Sequence, residues 1–273
     1  MVPLYWEHQS RRGLTSGTVD KQTRAVRQFL AFAGDTLDAI TTDDVEAFLA
    51  TRRLAPRTRY WWLSCIHTFY RWAIRYGHAT VDPTERIDRP RLPRNLPRPI
   101  ATVDLAFALA GAPPMVRAVL SLMAYEGLRA QEVAGIERAD VLDTSDPAML
   151  YVMRGKGGKE RAVPLHPDTV TSLRVLPMPR TGLLFDPRPW KVCHTVNNYL
   201  HRLGIDATGH QLRHWYGTEC YRASHDLRLV QELMGHSSPS TTAIYTLLDM
   251  SAAVPVVNGL SASMARHPTA IEP

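Results

Sequence analysis

The sequence predicts a two-domain, mainly helical protein with a small antiparallel β-sheet in the second domain. Apolar residues recur at helical spacing through most of the 273 residues. Two short apolar runs, residues 150–154 and 161–165, are joined by a glycine-rich stretch, which is the pattern of a β-hairpin. A proline- and arginine-rich linker, residues 89–99, divides the chain into two segments that are each long enough to bury a core.

The first domain, residues 1–88, contains three helical patterns. Residues 18–33 place apolar side chains on one face and are followed by a glycine, which favours a helix end. Residues 41–49 begin with hydroxyl and acidic residues that suit a helix N-terminus. The third pattern begins at Pro56 and stops at Gly77, and its aromatic spacing favours a core over a base-stacking surface. Its apolar residues are Trp61, Trp62, Ile66, Phe69, Tyr70, Ala73 and Ile74.

The second domain, residues 100–250, combines helices with the predicted hairpin. Apolar periodicity and glycine stops predict helices at residues 102–111, 114–126, 168–176, 190–203, 208–223 and 226–234. A last helical turn from Ser240 contains Tyr245. The tail, residues 251–273, is poorly periodic.

The net charge of +6 is unevenly distributed. Residues 1–99 carry 16 Lys and Arg against 10 Asp and Glu, whereas residues 100–273 carry 16 of each sign. This asymmetry indicates a nucleic-acid or membrane-surface partner, although a solvated domain without such a partner has a similar charge. We expect neither a signal peptide nor a membrane span, because no apolar run is long enough. Three widely spaced cysteines predict a cytosolic protein with reduced, buried thiols.

Motifs of other enzyme classes are absent from the sequence. Neither a GxxxxGK[ST] phosphate loop nor a GxSxG nucleophile elbow occurs. His210 and His214 have the i, i+4 spacing that can hold zinc, but Gln211 stands where a zinc protease has its catalytic Glu. We therefore expect one exposed and one buried histidine rather than a metal site, and no cofactor.

Six residues in five segments of the second domain provide cationic or imidazole side chains and one phenol. Singly, each has a simpler explanation, since a lone Arg is usually a surface residue and a lone Tyr is usually half-buried core. The candidate catalytic residues are Arg129, Lys156, His210, Arg213, His236 and Tyr245.

These segments together resemble the tyrosine recombinase family, also called phage integrases. The family signature is matched in order by residues 127–132 (GLRAQE), 155–157 (GKG), 210–214 (HQLRH), 235–236 (GH) and by Tyr245, nine residues after His236. Met234 stands where the family often has Leu. Residues 69–73 (FYRWA) and the linker also resemble the family, so that the likeness extends over about residues 15–250. It implies a four-helix, SAM-like core-binding domain followed by an α+β catalytic domain.

Phosphodiester cleavage requires that the charge on the non-bridging oxygens be stabilised and that the leaving oxygen be protonated. Arg129 and Arg213 can clamp those oxygens in place of a metal ion, and His210 can accept the proton of Tyr245. His236 can donate a hydrogen bond to the phosphate or hold the tyrosine geometry. The resemblance implies that Lys156 protonates the leaving oxygen, with Lys159 as the less favoured alternative, and that the product is a 3′-phosphotyrosine. Glu132 is expected to orient its helix or Lys156.

The resemblance implies a site-specific recombinase that acts on double-stranded DNA core sites as a homotetramer joining two sites. Integration or excision of phage-type DNA in the bacterial cytoplasm is expected, without an arm-binding domain and with a possible directionality factor. A Xer-like resolvase, a type IB topoisomerase and a DNA-binding protein without catalysis are the alternatives. Residues 251–273 are expected to dock on a neighbouring protomer, with partial disorder as the alternative. The predicted DNA-binding residues are Arg57, Arg59, Arg71, Arg75, Arg91 and Arg94.

Overall fold

The computed structural model describes residues 1–92, 96–153, 160–177, 179–236 and 239–245. The chain divides into two compact units, Met1–Arg94 and Asn95–Pro273. Four of the predictions lie outside the described residues: the glycine-rich turn with its two lysines, the contact of Arg94 with DNA, the continuation of the second domain beyond Tyr245, and the docking tail. They concern Lys156, Lys159, Arg94 and residues 246–273.

The described part of the first unit is helical. Its α-helices are α1 (Val2–Arg11), α2 (Ser16–Ala33), α3 (Thr42–Ala50) and α4 (Pro56–Arg75), with a 3₁₀ turn at Leu37–Ala39. At the start of α3, the Thr41 hydroxyl accepts a hydrogen bond from the Asp44 amide and the Asp44 carboxylate accepts one from the Thr41 amide, a reciprocal cap. These helices form the four-helix, SAM-like domain that the resemblance implies.

Helix α1 was not predicted, since the first helical pattern in the sequence begins at residue 18. The helix is short, and short helices depend on tertiary contacts more than on their own propensity. Tyr5 provides such contacts: it is fully buried, and its ring lies 5.3 Å from the rings of both Phe69 and Trp72. Packing against α4 therefore stabilises α1.

The prediction that the apolar residues of α4 belong to the core is confirmed for most positions and wrong for two. Phe69 and Tyr70 are fully buried, as predicted, with Trp62, Ile66 and Ala73 beside them in the same core. Trp61 is 40% exposed and Ile74 is 37% exposed. A helix has only one buried stripe, and these two positions lie beside it on the solvent side.

The second unit contains the larger core and the remaining helices. These are α5 (Thr102–Gly111), α6 (Pro114–Ala124), α7 (Ala130–Ala134), α8 (Pro167–Arg174), α9 (Pro189–Arg202), α10 (Gly209–Ser224), α11 (Leu227–Met234) and α12 (Pro239–Thr242). Two 3₁₀ turns, Arg138–Asp140 and Ala243–Tyr245, complete the helical structure. All six helices predicted for this domain are present, with ends displaced by at most two residues. The five-residue α7 was not predicted, because it is too short to show periodicity.

The sheet has the antiparallel order β1-β2-β3, formed by Val141–Leu142, Met149–Val152 and Arg161–Pro164. The predicted hairpin strands are confirmed as β2 and β3, which pair Leu150 with Val163 and Tyr151 with Ala162. The first pair is buried and the second faces solvent, as alternation requires. The two-residue β1 was not predicted, because two residues carry no alternation.

The cysteine prediction holds in part. Cys65 is buried, Cys220 is half-buried and Cys193 is exposed, all as free thiols. The expectation of buried thiols is therefore wrong for Cys193, which lies on the solvent side of α9. Within the described residues, no helix has both the length and the apolar character needed to cross a membrane.

Candidate active site

Arg129 is positioned by a tight turn between α6 and α7. Gly127 has the left-handed φ of +62°, and a Cβ there would lie 2.3 Å from Cδ1 of Tyr216, so the turn needs glycine at this position. Arg129 then caps α7: its amide donates to Glu132 Oε2 at 2.8 Å and its Nη1 donates to Oε1 at 2.8 Å. The side chain stays 25% exposed, so the guanidinium remains open to a ligand.

Arg213 lies on α10 and is almost completely buried. Its Nη1 donates to the carbonyl of Gly127 and its Nη2 donates to the carbonyl of Met234 at 2.5 Å. Burial and the nearby charge of Arg129 lower its pKa to about 10, so the guanidinium still carries its charge at neutral pH. Because it holds the turn before α7 and the end of α11, Arg213 joins two segments of the predicted signature.

Glu132 is the carboxylate that three arginines share. Its side chain is 1% exposed and lies 2.8 Å from Arg129, 3.0 Å from Arg161 and 3.8 Å from Arg213. Burial raises the pKa of Glu132, but the hydrogen bonds and charges of the arginines outweigh it and hold the pKa below its usual range. One negative and three positive charges leave an excess of positive charge around this cluster.

Tyr245 ends the 3₁₀ turn after α12 and is 2% exposed. Its ring lies directly over Gly217, where a Cβ would be 2.5 Å from Tyr245 Cζ. The hydroxyl lies 3.4 Å from Nδ1 of His214. Burial raises the pKa of Tyr245 to about 12, against the lowering effect of the charges of Arg213 and Arg129. The free protein therefore keeps this phenol protonated at neutral pH.

His236 is buried beside the tyrosine. Its ring is nearly parallel to that of Tyr245, with centroids 6.3 Å apart, and its Nδ1 lies 2.9 Å from the hydroxyl of Thr242. Burial lowers the pKa of His236 to about 3, helped by the charges of Arg213 and the two other arginines of the cluster. The imidazole is neutral at pH 7 and can exchange one hydrogen bond with a ligand.

His210 is exposed on α10, and its ring centroid lies 4.4 Å from that of His214, which is half-buried. Burial lowers the pKa of His214 to about 4. Partial removal of solvent from the ring and the charges of Arg213 and Arg129 also lower the pKa of His210. In the described structure no hydrogen bond joins His210 to Tyr245. Groups of three or more metal-ligating residues are likewise missing from the described ranges. The expected exposed histidine is His210, whereas His214 is half-buried rather than buried.

Five of the six predicted residues lie in the described structure, and four of them form one connected cluster. Arg129, Arg213, His236 and Tyr245 are linked through their contacts and charges, and His210 joins them through His214. Lys156 lies outside the described residues. Sequence reasoning missed Arg161 and His214 as site residues. The HxLRH pattern contained a signal for His214, but a lone arginine at the start of a strand gave none for Arg161.

The predicted DNA-binding arginines lie in the first unit and its linker. Arg57, Arg71 and Arg75 are exposed on α4, and the described residues provide no ion pair for any of them. Arg59 instead pairs with Glu46 at 2.8 Å. Arg91 is exposed in the linker.

A cavity of about 430 Å³ lies between α1 and α4, beside these arginines. Three arginines and a histidine are among its lining residues: Arg12, Arg71, Arg75 and His8. Partial burial and the charges of Arg12 and Arg75 lower the pKa of His8, which indicates a positive potential in this cavity.

Two family models together match most of the chain. Residues 111–252 match the phage integrase family, and residues 3–77 match the N-terminal SAM-like domain of phage integrases. The chain belongs to the phage integrase family of tyrosine recombinases. It is a site-specific recombinase that cleaves and rejoins DNA strands, as the sequence predicts.

Relatives of this recombinase cover almost its full length. Tyrosine recombinase XerC of Methylobacterium nodulans is 32% identical over 97% of this chain and 91% of the relative. Tyrosine recombinase XerD of Lacticaseibacillus casei is 32% identical over 87% of this chain and 89% of the relative.

Solved structures show the same fold at lower identity. A lambda integrase dimer bound to a core site has a TM-score of 0.71 and 19% identity, covering 89% of this chain and 93% of that one. The XerH recombinase in a post-cleavage complex with its difH substrate has a TM-score of 0.70 and 18% identity, covering 94% and 82%. The predicted fold class of the recombinase is therefore confirmed.

Proposed function

We propose that Tyr245 is the nucleophile of the recombinase and attacks the scissile phosphate of a DNA core site. Its oxygen forms a bond to phosphorus, the bond to the 5′ oxygen breaks, and the products are a 3′-phosphotyrosine and a free 5′ hydroxyl. The observation that carries this proposal is the position of the Tyr245 ring, whose centroid lies 6.0 Å from that of His214 and 6.3 Å from that of His236. The positive charges of Arg213 and Arg129 favour the phenolate over the phenol, against the effect of burial.

Arg129 and Arg213 are proposed to hold the non-bridging oxygens of the phosphate. A phosphodiester carries one negative charge, and the charge it gains in the transition state lies on those oxygens. Arg213 is fixed by two backbone carbonyls, and Arg129 is aligned by Glu132 while part of it stays exposed. Fixed donors of this kind stabilise developing charge without a cost of rearrangement. They provide the charge that a metal ion provides in other phosphoryl-transfer enzymes, and we propose a reaction without metal or ATP.

The proton steps involve histidine and lysine. His210 is the base proposed from the sequence, and the contact between the Tyr245 hydroxyl and His214 makes His214 the competing candidate. Lys156 is proposed to give a proton to the departing 5′ oxygen, and His236 to donate a hydrogen bond to the phosphate. In the reverse step, a 5′ hydroxyl from a partner strand attacks the phosphotyrosine, and the phenolate leaves and regains its proton.

The first unit is proposed to hold the DNA backbone. Within the described part of the chain, Arg57, Arg71 and Arg75 are exposed along α4 without an ion pair, and the cavity beside α1 adds the guanidinium of Arg12. Unpaired arginines on one helix are suited to phosphate contacts, which position a duplex without reading its sequence. Arg91 and Arg94 would continue these contacts along the linker, and Arg59 would contribute less because Glu46 already pairs with it.

The proposed assembly is a homotetramer on two core sites. Lambda integrase, whose fold this chain shares, has been solved as a tetramer bound to a Holliday junction. We propose a core-binding domain at 1–88, a linker at 89–99, a catalytic domain at 100–250, and a tail at 251–273 that docks on a neighbouring protomer. The protein would act on DNA in the bacterial cytoplasm, with a directionality factor where integration must be reversed.

Integration or excision of phage-type DNA is the proposed biological role. Resolution of the Xer kind is the second candidate, and the XerC and XerD relatives favour it. Two plasmid assays separate these roles. Recombination between unlike sites on two molecules supports integration, whereas efficient recombination only between two identical sites in one molecule supports resolution.

The nucleophile is tested by trapping. Duplexes bound by the protein are selected from a random library. The selected site is then nicked near the cleavage point, so that the short fragment with the free 5′ hydroxyl diffuses away and cannot be rejoined. The wild type is expected to accumulate a covalent adduct, and Tyr245→Phe is expected to form none. The matched control is Tyr221→Phe, which changes a half-buried tyrosine of the same small core and is expected to keep adduct formation. An adduct formed by Tyr245→Phe would reject Tyr245, and relaxation of DNA that lacks the selected site would support a topoisomerase.

A further inference from the structure

Arg161 is a largely covered arginine of intermediate burial that the six catalytic candidates do not include. It is the first residue of β3, and its side chain is 10% exposed. Its Nη1 and Nη2 donate to the two carboxylate oxygens of Glu132, at 3.1 and 3.0 Å. Its Nε donates to the carbonyl of Leu233 at 2.9 Å. Bidentate pairing and a third bond fix the guanidinium in one orientation.

These three bonds join three elements of the second unit. Glu132 is in α7 and also aligns Arg129, Leu233 is in the last turn of α11, and Arg161 itself belongs to the hairpin. Carbonyls in the last turn of a helix lack partners within the helix, and a cation is the favourable partner at that end. Arg161 and Arg213 take the carbonyls of Leu233 and Met234, which immediately precede Gly235 and His236.

Gly235 shows how closely this contact is packed. It has a left-handed φ of +60° and ends α11, and a Cβ there would lie 2.8 Å from Nη1 of Arg161. A side chain at position 235 would therefore both strain the backbone and displace Arg161. The glycine in the LMGH segment is explained by its contact with the arginine as much as by the helix end.

We infer that Arg161 is a positioning residue for strand cleavage, which fixes the phosphate clamp of Arg129 and Arg213 through Glu132 and sets His236 through the end of α11. This inference rests on the proposed function of those residues. Three of the five N–H groups of the Arg161 guanidinium donate to Glu132 and Leu233, so Arg161 acts through these partners rather than on the substrate. Lysine has a single ammonium group and cannot make the bidentate pair and the Nε bond together.

The test compares Arg161→Lys with a matched control, Arg138→Lys. Arg138 is in the same unit and makes the same kinds of bond, to the Val141 carbonyl at 2.8 Å and to Asp143 at 3.1 Å, but it lies outside the site. Cleavage is measured at saturating concentrations of the nicked selected duplex. Arg161→Lys is expected to cleave about 100-fold more slowly than the wild type, since small displacements of catalytic groups have effects of that size. Arg138→Lys is expected to keep a rate within about threefold of the wild type.

A second substrate separates clamp positioning from a general loss of structure. In a methylphosphonate at the cleavage position, a neutral methyl group replaces one charged oxygen, so cleavage depends less on the arginine clamp. The rate deficit of Arg161→Lys is expected to shrink at least tenfold on this substrate, and the same is expected of Arg129→Ala, which removes part of the clamp directly. An equal deficit on both substrates, or no deficit at all, would overturn the inference. If the wild type itself formed no adduct with its selected DNA, the proposed function would fail instead.

Discussion

The ring of Tyr245 lies on the backbone of Gly217, at a distance that leaves no room for a β-carbon. Gly217 shares one face of α10 with His210, Arg213 and His214, because the four positions follow the i, i+3, i+4, i+7 spacing. One helix thus presents two imidazoles, a guanidinium and, at Gly217, a notch in its surface where the missing side chain leaves room for the Tyr245 ring. The position of the proposed nucleophile is set by the same helix that carries its base and half of its phosphate clamp.

Gly217→Ala is expected to displace the Tyr245 ring and slow covalent adduct formation by about 100-fold, because the reacting oxygen loses its alignment. The rate is measured with the nicked selected duplex at saturation, where differences in DNA affinity do not contribute. Gly17→Ala is the control, since a Cβ at this helical position meets no atom within 4 Å. A Gly217→Ala protein that cleaves at the wild-type rate would contradict the notch as the determinant of the tyrosine position.

Replacement of each histidine of α10 by Gln identifies the base. If His214 accepts the phenolic proton, His214→Gln is expected to cleave about 100-fold more slowly than the wild type and His210→Gln only a fewfold more slowly. The pKa of His214 is lowered to about 4, so the wild-type rate should fall below that pH as the imidazole gains a proton. This acidic limb of the pH–rate profile is expected to disappear in His214→Gln. Its loss in His210→Gln alone would assign the base to His210.

Glu126→Gln is expected to stabilise the protein at alkaline pH. Glu126 is fully buried and accepts hydrogen bonds from the His166 amide and the Thr169 hydroxyl, and burial raises its pKa to about 8. A carboxyl whose pKa is raised on folding destabilises the native state as pH rises from its unfolded value, near 4.5, through 8.

The melting temperature of Glu126→Gln should therefore exceed that of the wild type at pH 9 by at least about 4 °C, which corresponds to roughly 1–2 kcal/mol in a domain of this size. The advantage should shrink towards pH 5, where the wild-type carboxyl is protonated in the native state. Glu7→Gln changes an exposed carboxyl and should show no such trend. An advantage that stays constant between pH 5 and 9 would contradict a buried, titrating Glu126.

Arginines of α4 are expected to differ in their contribution to DNA binding. Arg71→Ala and Arg75→Ala should each reduce the salt dependence of binding, log K against log [salt], by about one phosphate contact. Arg59→Ala should reduce it less, because Glu46 neutralises Arg59 in the free protein. Binding is measured by fluorescence anisotropy on the selected duplex and on an unrelated one. Equal slopes for all three variants would show that the ion pair does not matter, and a loss confined to the selected duplex would indicate base reading.

Most of the secondary structure could be predicted from the sequence, because long helices with one buried face leave a periodic pattern. The observed ends of α5 and α11 lie within one residue of the predicted ends. The two four-residue strands of the hairpin were likewise predicted, from their apolar runs on either side of a glycine-rich turn. Elements without a period could not be predicted: α1 depends on Tyr5 packing against α4, and α7 and β1 are too short. Burial was predicted wrongly for Trp61, Ile74 and Cys193, which are exposed because they lie beside the buried face of their helices.

The sequence by itself determined the family and the reaction class, and it supplied the candidate catalytic residues, because the order and spacing of the motifs along the chain are distinctive. Only the tertiary structure decided which groups form ion pairs and which imidazole contacts the tyrosine hydroxyl. Glu132 gathers Arg129, Arg161 and Arg213 from three separate segments, and His214 rather than His210 meets the tyrosine hydroxyl. The physical reason is that charge interactions and hydrogen bonds depend on distances of a few ångströms, and long-range packing, not chain spacing, sets those distances.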